Sequence, residues 1–356
     1  MQNIADAAGV SVATVSLCLR NHPRFPVATC KHIQELARKM GYTPNPLVST
    51  LMAHLRSTHP SPYTATIGFI HAFSGHAKGG ISATFTAYYN AACQRAEEMG
   101  YQLDEFRIWE PGMSTARLNK VLFTRGIVGA IIAPLPAGRG HLSLDWSKLS
   151  ATAIGLSMWR PNLHRVAHNQ FRAMCTVMRQ LHRLGYRRIG LTMSANYDER
   201  VDHNWLAGLL VYQNQMNNAC RVPAFIDKEW TQDSFNQWFQ KYRPDVVVAP
   251  HITPYMWLGA MGVRIPEDVG FVHLDLTPEL GSIAGINQQA EVIGAAAVDA
   301  VIDQLHRNER DVPVNPKLAL MEGLWREGFT IKKINDGRHL GRPSKKRSVA
   351  ELEPRP

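Results

Sequence analysis

Apolar side chains in the first forty residues recur every three or four positions, the spacing that lines one face of a helix. This pattern predicts three helices, over residues 1–8, 12–19 and 27–40. Gly9 supplies the turn after the first helix, Ser11 is of a residue type that caps the second, and Gly41 ends the third. The side chains expected to face inward on the second and third helices are Val15, Cys18, Leu19, Ile33, Leu36, Ala37 and Met40. Two short helices joined by a glycine turn and packed on a third predict a helix-turn-helix unit.

A fourth helix is predicted to begin at Asn45 and Pro46, since asparagine is a good N-cap and proline suits the first helical position. Leu47, Leu51 and Leu55 then repeat at every fourth position. Such a short helix is marginal in water by itself. It is either ordered by a partner or a plain amphipathic linker, and residues 57–62, with two prolines, form the rest of the connection.

From residue 63 onward short β-rich runs alternate with helical stretches. The predicted strands cover residues 66–73, 102–108, 127–133, 151–156, 188–193, 246–249 and 269–274. Predicted helices include residues 84–99, 171–184, 203–216 and 291–307. Alternation of this kind predicts mostly parallel sheets covered by helices on both faces. A segment of this length is large for one such sheet, so two lobes are expected.

Composition excludes several classes of protein. The chain is 45% hydrophobic, has no apolar run long enough to span a bilayer and lacks the pattern of a signal peptide at its start, so a cytoplasmic protein is expected. Its five cysteines are scattered and form no CxxC pair, which argues against both a disulfide framework and a zinc site. Reduced, buried thiols are expected instead.

Charge is concentrated at the two ends of the chain. Of the net +10, residues 1–60 carry +4 and residues 332–356 carry +5, which leaves about +1 for the middle. Basic ends suit contact with a polyanion such as DNA, but they also suit a role in solubility alone. The tail from residue 332 lacks apolar periodicity and is expected to be disordered, either solvated or attracted non-specifically to DNA.

The string from Ile4 to Ser16, followed by Asn21, Gly41-Tyr42 and Pro44-Asn45, closely resembles the DNA-binding domain of the LacI–GalR family of transcriptional repressors. The resemblance implies that the second helix lies in the DNA major groove, where Val12 and Ala13 set the base preference. It implies phosphate contacts for Thr14, Asn21, Thr29 and Tyr42, which position the protein without reading sequence. The residues expected to contact DNA are Ser11, Val12, Ala13, Thr14, Ser16, Leu17, Arg20, Asn21, Thr29, Tyr42, Asn45 and Leu51.

Two of these positions carry special expectations. The family usually has an arginine at the position of Leu17, and leucine cannot read guanine, so thymine methyl contacts are expected to dominate. The resemblance also implies that residues 46–62 hold a hinge helix, which orders when two copies pair over the minor groove. Leu51 matches the leucine that wedges between the central base pairs.

The order of segments after residue 63 resembles the periplasmic-binding-protein-like (type I) core of the same family, with matching phrases at residues 184–189 and 265–270. The resemblance implies a multidomain protein, an all-α helix-turn-helix domain over residues 1–45 joined to a two-lobed α/β domain over residues 63–331. Its first lobe is expected to cover residues 63–157 and 280–310, and its second lobe residues 158–279 and 311–331. A small ligand is expected between the lobes.

Ligands of open α/β sheets bind beyond the carboxyl ends of the strands. On this basis and on the resemblance, which assigns effector contacts to Asp275 and Gln288, the residues expected to bind a ligand are Phe73, Ser74, Pro134, Trp159, Asn196, Trp205, His251, Asp275 and Gln288. A carboxylate, amides and aromatic faces suit a sugar. The family's arginine three residues before Gly208 is replaced by Trp205, which argues against a ligand held by arginine, such as a phosphosugar.

The sequence therefore predicts a DNA-binding regulator, expected to be a repressor, which binds a near-palindromic site as a homodimer and responds to a sugar. Neither a cofactor nor a metal is expected: the glycines at 75, 79 and 80 miss the dinucleotide-binding spacing, and His164 and His168 have no third ligand nearby. Three alternatives remain open. They are a cytoplasmic carbohydrate sensor whose helix-turn-helix contacts proteins, an enzyme acting on a small carbohydrate, and a DNA recombinase, although no catalytic constellation is visible.

Overall fold

The computed structural model describes residues 2–19, 24–40, 65–72, 83–136 and 138–334. The N-terminal unit contains helices α1 (Gln2–Ala8), α2 (Val12–Leu19) and α3 (Val27–Lys39), which confirms the three predicted helices to within a residue at each end. The α2 cap is confirmed as well, because the Thr14 backbone N–H donates to Ser11 Oγ at 3.1 Å. The side-chain amide of Gln34 donates to the Cys18 carbonyl at 3.0 Å and so ties α3 to the end of α2.

The core of this unit consists of side chains spaced along one face of each helix, namely Ile4, Ala5, Val15, Cys18, Cys30, Ile33 and Ala37. Leu19 and Leu36 pack against it while partly buried. Met40 was expected to face inward, and that prediction is wrong: it is 45% exposed, because it lies just past the last residue of α3. Cys18 and Cys30 are free, as expected, and burial together with a hydrogen bond between the two thiols raises the pKa of Cys18 to about 11.

The first lobe is built on a six-stranded parallel sheet whose central strands are fully buried. In spatial order its strands are β13 (Leu318–Met321), β7 (His164–His168), β5 (Ser150–Ile154), β3 (Gly129–Ile132), β1 (Ala65–His71) and β2 (Tyr101–Arg107). Helices α4 (Ala83–Glu98) and α11 (Ala290–Arg307) cover one face, and α5 (Thr115–Thr124) packs on the other. The chain between β3 and β7 also forms a separate two-stranded pair, β4 (Gly140–His141) with β6 (Met158–Arg160), and a 3-10 turn, Trp146–Lys148.

The second lobe contains a second six-stranded sheet, parallel except at one edge. Its strands are, in spatial order, β14 (Leu324–Arg326), β12 (Gly285–Asn287), β11 (Gly270–His273), β10 (Val246–Ala249), β8 (Ile189–Ser194) and β9 (Phe225–Asp227). Helices α6 (Gln170–Arg183) and α8 (Asn204–Gln213) cover one face, and α9 (Gln232–Tyr242) and α10 (Thr253–Ala260) cover the other. The remaining elements are α7 (Ala195–Arg200) and the 3-10 turns Asn218–Cys220 and Pro278–Leu280. The predicted fold class, a helix-turn-helix domain plus a two-lobed α/β domain, is confirmed.

The chain passes between the lobes after β7, after β12 and after β13, and these positions correct the expected lobe boundaries. Residues 158–168 stay in the first lobe because β7 pairs with β5. Residues 280–287 belong to the second lobe because β12 pairs with β11, and residues 318–321 return to the first because β13 pairs with β7. His164 and His168 therefore lie on a strand. None of the helices in the described ranges combines the length and apolar character that a bilayer crossing needs.

Candidate functional site

A cavity of about 230 Å³ lies between the two lobes, beyond the carboxyl ends of their strands. Its walls come from both lobes: α4 and the segments after β3 and β5 on one side, α7 and the segments after β10 and β11 on the other. The lining residues are Thr84, Phe85, Tyr88, Pro134, Gly155, Leu156, Ser157, Gln170, Tyr197, Arg200, Val201, Pro250, His251, Asp275 and Gln288. Polar groups of both lobes thus line one shared space between the lobes, which is the usual location of a ligand in such folds.

A hydrogen bond joins the lobes inside this cleft. Thr84, in the first turn of α4, donates through Oγ1 to Asp275 Oδ2 at 2.9 Å. Asp275 follows β11 by two residues, and its backbone N–H donates to Nδ1 of His273 at 3.1 Å, which fixes the start of this segment. The carboxylate is therefore held at the boundary between the lobes, where a ligand that contacts both would meet it.

Burial sets the protonation of the groups around Asp275. It raises the pKa of Asp275 to about 6, although the Thr84 hydrogen bond and the Arg200 charge partly oppose the shift. Burial, and after it the Asp275 charge, raises the pKa of both Tyr88 and Tyr197, so the two phenols stay protonated. Burial and the Arg200 charge lower the pKa of His251 to about 4, so its imidazole is neutral at pH 7. Among the described residues, the cavity wall therefore offers neutral hydroxyl and imidazole groups beside the Asp275 carboxylate and the Arg200 guanidinium.

Arg200 is the one cationic side chain that the described residues contribute to the cavity wall, and sequence reasoning missed it. It ends α7 and is half-buried, and its Nε donates to the Leu135 carbonyl of the first lobe at 2.9 Å. Its guanidinium carbon lies 5.7 Å from the centre of the Tyr197 ring. Within the described residues the two terminal amino groups have no hydrogen-bond acceptor and no carboxylate within 4.0 Å. They remain available to a ligand.

Asn196, predicted to bind a ligand, instead contacts the opposite lobe. Its Oδ1 accepts from the Gly138 backbone N–H and its Nδ2 donates to the Pro136 carbonyl, both at 3.0 Å. Because Asn196 and Arg200 are four residues apart on α7, they reach the same loop together. We refer to the contacts of Asn196 and Arg200 with Leu135, Pro136 and Gly138 as the α7 latch. It joins the lobes beside the cavity, whereas Asn196 itself is absent from the cavity wall.

The other predicted ligand residues divide into three groups. Pro134, His251, Asp275 and Gln288 line the cavity, and Gln288 donates to the Leu274 carbonyl at 2.8 Å. Trp159 and Trp205 do not: Trp159 is 49% exposed on β6 beneath the Arg139 guanidinium, and Trp205 is fully buried between α8 and α6. Phe73 and Ser74 lie outside the described residues. Arg200 and Tyr197 line the cavity but were not predicted from the sequence. Both lie on α7, the helix directly after β8, and that position beyond the carboxyl end of a strand could have indicated them.

The DNA-contact predictions fall partly outside the described residues. Ser11 is exposed, and Thr14, Leu17 and Thr29 are half-buried at the surface of the helix-turn-helix unit. Those outside the described part of the chain are Arg20, Asn21, Tyr42, Asn45 and Leu51, together with the side chains of Val12, Ala13 and Ser16. Among the residues that the structure does describe, no cluster of three histidine, cysteine, aspartate or glutamate side chains is arranged to hold a metal ion.

Comparison with known proteins agrees with this architecture. The model of the bacterial regulatory proteins of the lacI family matches residues 1–45, and the model of the periplasmic binding protein-like domain matches residues 178–325. No curated protein matches the chain significantly in sequence.

Solved structures share the fold at low identity. A transcriptional regulator CelR–cellobiose complex is 17% identical with a TM-score of 0.58, over 92% of this chain and 98% of that one. The Lac repressor dimer bound to operator and the anti-inducer ONPF is 17% identical with a TM-score of 0.55, over 92% and 97%. The regulator CcpA from Weissella paramesenteroides, with bound glucose, is 12% identical with a TM-score of 0.57, over 76% and 100%. With the two domain matches and the shared architecture, the chain belongs to the LacI family of bacterial regulatory proteins.

Proposed function

We propose that this protein is a transcriptional repressor that binds a near-palindromic operator as a homodimer and is controlled by a small carbohydrate in the cleft between its lobes. The observation that carries the proposal is the combination of a capped helix-turn-helix unit with a cavity between the lobes that is lined by polar groups from both. The solved structures that share this fold include complexes with cellobiose, with operator DNA and with glucose.

The DNA-binding half of the proposal rests on α2. Ser11 and Thr14 satisfy each other at its first turn, with their hydroxyls 2.9 Å apart, so the helix begins rigidly at the end that enters the major groove in this motif. The packing of α1 and α3 around Val15 and Cys18 holds its other face. Two subunits related by a twofold axis would place two such helices on successive half-sites.

The ligand-binding half rests on bonds that cross the cleft. The Thr84–Asp275 hydrogen bond and the α7 latch both join the lobes next to the space that a ligand would fill. A ligand that contacts both lobes changes the free energy of closure, and closure changes how the first lobes sit in the dimer. DNA affinity and ligand affinity are then coupled through this single movement, in either direction.

Selection from random duplex DNA, followed by fluorescence anisotropy on the selected site, tests the proposal with the full-length protein. We expect a near-palindromic site, no strong guanine requirement opposite Leu17, and steep weakening by salt because phosphate contacts release counterions. Ala13→Glu is expected to abolish binding through repulsion of the phosphates. Ala219→Glu, the same change at an exposed position of the second lobe, is expected to have no effect. Failure to bind any duplex at low salt overturns the proposal.

A further inference from the structure

We infer that the cleft ligand carries an anionic group, a carboxylate or a phosphate, that pairs with the terminal amino groups of Arg200. The inference rests on the proposed function for the existence of a ligand, and it narrows the class from sugars in general to sugar acids or sugar phosphates. It reverses the expectation drawn from Trp205, because the cleft does contain an arginine, supplied by α7.

Arg200 is positioned for a ligand by contacts that use only part of its guanidinium. The Nε–H is bound to the Leu135 carbonyl, and the planar group lies near the Tyr197 ring, so its orientation is fixed from two sides. Arg200 lines the cavity, and its two terminal amino groups have no acceptor among the described residues. A fixed pair of N–H donors on one planar group is the arrangement that binds carboxylate and phosphate through two parallel hydrogen bonds.

The charges around the cavity support an anion at this position. Arginine remains charged in proteins, so this cation is half-buried with no ion-pair partner within 4.0 Å in the described part of the chain. Asp275 does not fill that role, since its carboxylate is bonded to Thr84 and burial outweighs the Arg200 charge in its pKa. Closure over a neutral ligand would bury the cation uncompensated, which is costly, whereas an anion offsets this cost.

The remaining groups suit the hydroxylated part of such a ligand. Asp275 can accept from hydroxyls, while Tyr88 and Tyr197 stay protonated and can donate to ring or hydroxyl oxygens. The neutral imidazole of His251 adds no positive charge that would compete with Arg200 for the anion. Pockets for drug-sized ligands are about 300–1,000 Å³, so a cavity of about 230 Å³ suits a small ligand of about one sugar unit.

The experiment measures binding of matched pairs to the full-length protein by thermal shift and titration calorimetry. The pairs are glucose with glucuronate and glucose 6-phosphate, and galactose with galacturonate and galactose 6-phosphate. We expect at least one acid or phosphate to bind about tenfold to a hundredfold more tightly than its neutral parent, because charge-assisted hydrogen bonds are about twice as strong as neutral ones. Whether the carboxylates or the phosphates bind identifies which anion the cleft takes.

Substitutions of Arg200 test whether this residue causes the preference for the anionic ligand. Arg200→Gln is expected to reduce the preference for the anion to within about threefold, and Arg200→Lys to keep part of it as a point charge. Arg183→Gln, at an exposed position of α6, removes the same charge away from the cleft and is expected to keep the full preference. Unfolding of the free variants, followed by circular dichroism, separates loss of the ligand contact from loss of the fold.

Three results overturn the inference: a neutral sugar that binds as tightly as its anionic partner, an anion preference that survives Arg200→Gln, or failure of every anionic member to bind. Each is independent of the operator selection described above. A protein that binds operator DNA but prefers neutral sugars would retain the proposed function and refute only the ligand class.

Discussion

The α7 latch makes a prediction about a single backbone amide. In the joined state the Gly138 N–H donates to Asn196 Oδ1 at 3.0 Å across the boundary between the lobes. Asn196→Ala removes this acceptor, and the donor to the Pro136 carbonyl with it. Hydrogen exchange at Gly138, measured by NMR, therefore reports directly on a contact between the lobes, without any knowledge of the ligand.

The size of the effect follows from the bond that is lost. A single intramolecular hydrogen bond contributes roughly 0.5–1.5 kcal/mol net, so exchange at Gly138 should accelerate about twofold to tenfold in Asn196→Ala. Asn196→Asp keeps an acceptor for the Gly138 N–H but cannot donate to Pro136. In that variant exchange at Gly138 should be no faster than in the wild-type protein, because a charged acceptor makes the stronger bond.

An internal control lies in the same loop. The Leu135 N–H donates to Ser157 Oγ at 2.8 Å within the first lobe, so its exchange should not respond to either variant. Equal acceleration at Leu135 and Gly138 would mean that the loop itself had loosened. Unchanged exchange at Gly138 in Asn196→Ala would refute the latch, since the amide would then owe its protection to something other than Asn196.

Three further predictions concern titration and packing. Because Asp275, with a pKa of about 6, is ionised above that pH, ligand affinity should fall as pH drops from 7 to 5, and Asp275→Asn should abolish this dependence in calorimetry. Burial lowers the pKa of His168 and of His273 to about 4, below the unfolded value of 6.5. Their contribution to the free energy of unfolding is complete above pH 6.5 and is lost as pH falls toward 4, because the unfolded chain then binds protons that the buried imidazoles do not. Between pH 7 and pH 5 each histidine should therefore lower the free energy of unfolding, measured with urea, by roughly 2 kcal/mol. The raised pKa of Asp275 changes the free energy of unfolding in the opposite direction over the same interval. His168→Gln should reduce the dependence of this free energy on pH by the contribution of one histidine. An unchanged dependence would contradict the lowered pKa of His168. Gly294→Ala should destabilise by about 1–3 kcal/mol, because a Cβ there would lie 2.3 Å from the Tyr88 carbonyl oxygen, whereas Gly259→Ala, with open space around it on α10, should not.

The elements that were predictable from sequence are those whose signal is local. The helix-turn-helix unit follows from apolar spacing, a glycine turn and a serine cap within forty residues, and its helices begin and end where these signals lie. The central strands of both lobes carry continuous apolar runs, such as Val246–Ala249, because both faces are covered. Such patterns can be recognised in a single sequence because they do not depend on contacts with distant residues.

The lobe boundaries depended on pairings that no local pattern records. β7 contains two histidines and an arginine, and it is a strand because β5 and β13 flank it, the latter about 150 residues further along the chain. β13 is an edge strand with mostly exposed side chains, so its apolar content did not distinguish it from a loop. Long-range pairing thus decided which residues belong to which lobe.

The arginine of the cleft illustrates a more local limit. Trp205 precedes Gly208 by three residues and so lies on the same face of α8, and Gly208 is packed so closely on α6 that an added Cβ would lie 2.7 Å from Met174 Cβ. That contact directs Trp205 into the core of the second lobe and away from the cavity. Asp202 and His203, both with left-handed backbone angles, separate α8 from α7 and turn the chain.

The same turn is closed by side chains, since His203 Nδ1 lies 2.6 Å from Asp198 Oδ2 and the His203 N–H donates to the Asp198 carbonyl at 2.9 Å. These contacts fix the connection between α7 and α8, and Arg200, one turn beyond Asn196 on α7, lies on the cavity wall. The site therefore keeps a cation while the position where the resemblance placed it has become part of the core. Tryptophan at position 205 therefore does not leave the cavity without a cation, because Arg200 on the neighbouring helix α7 lines it.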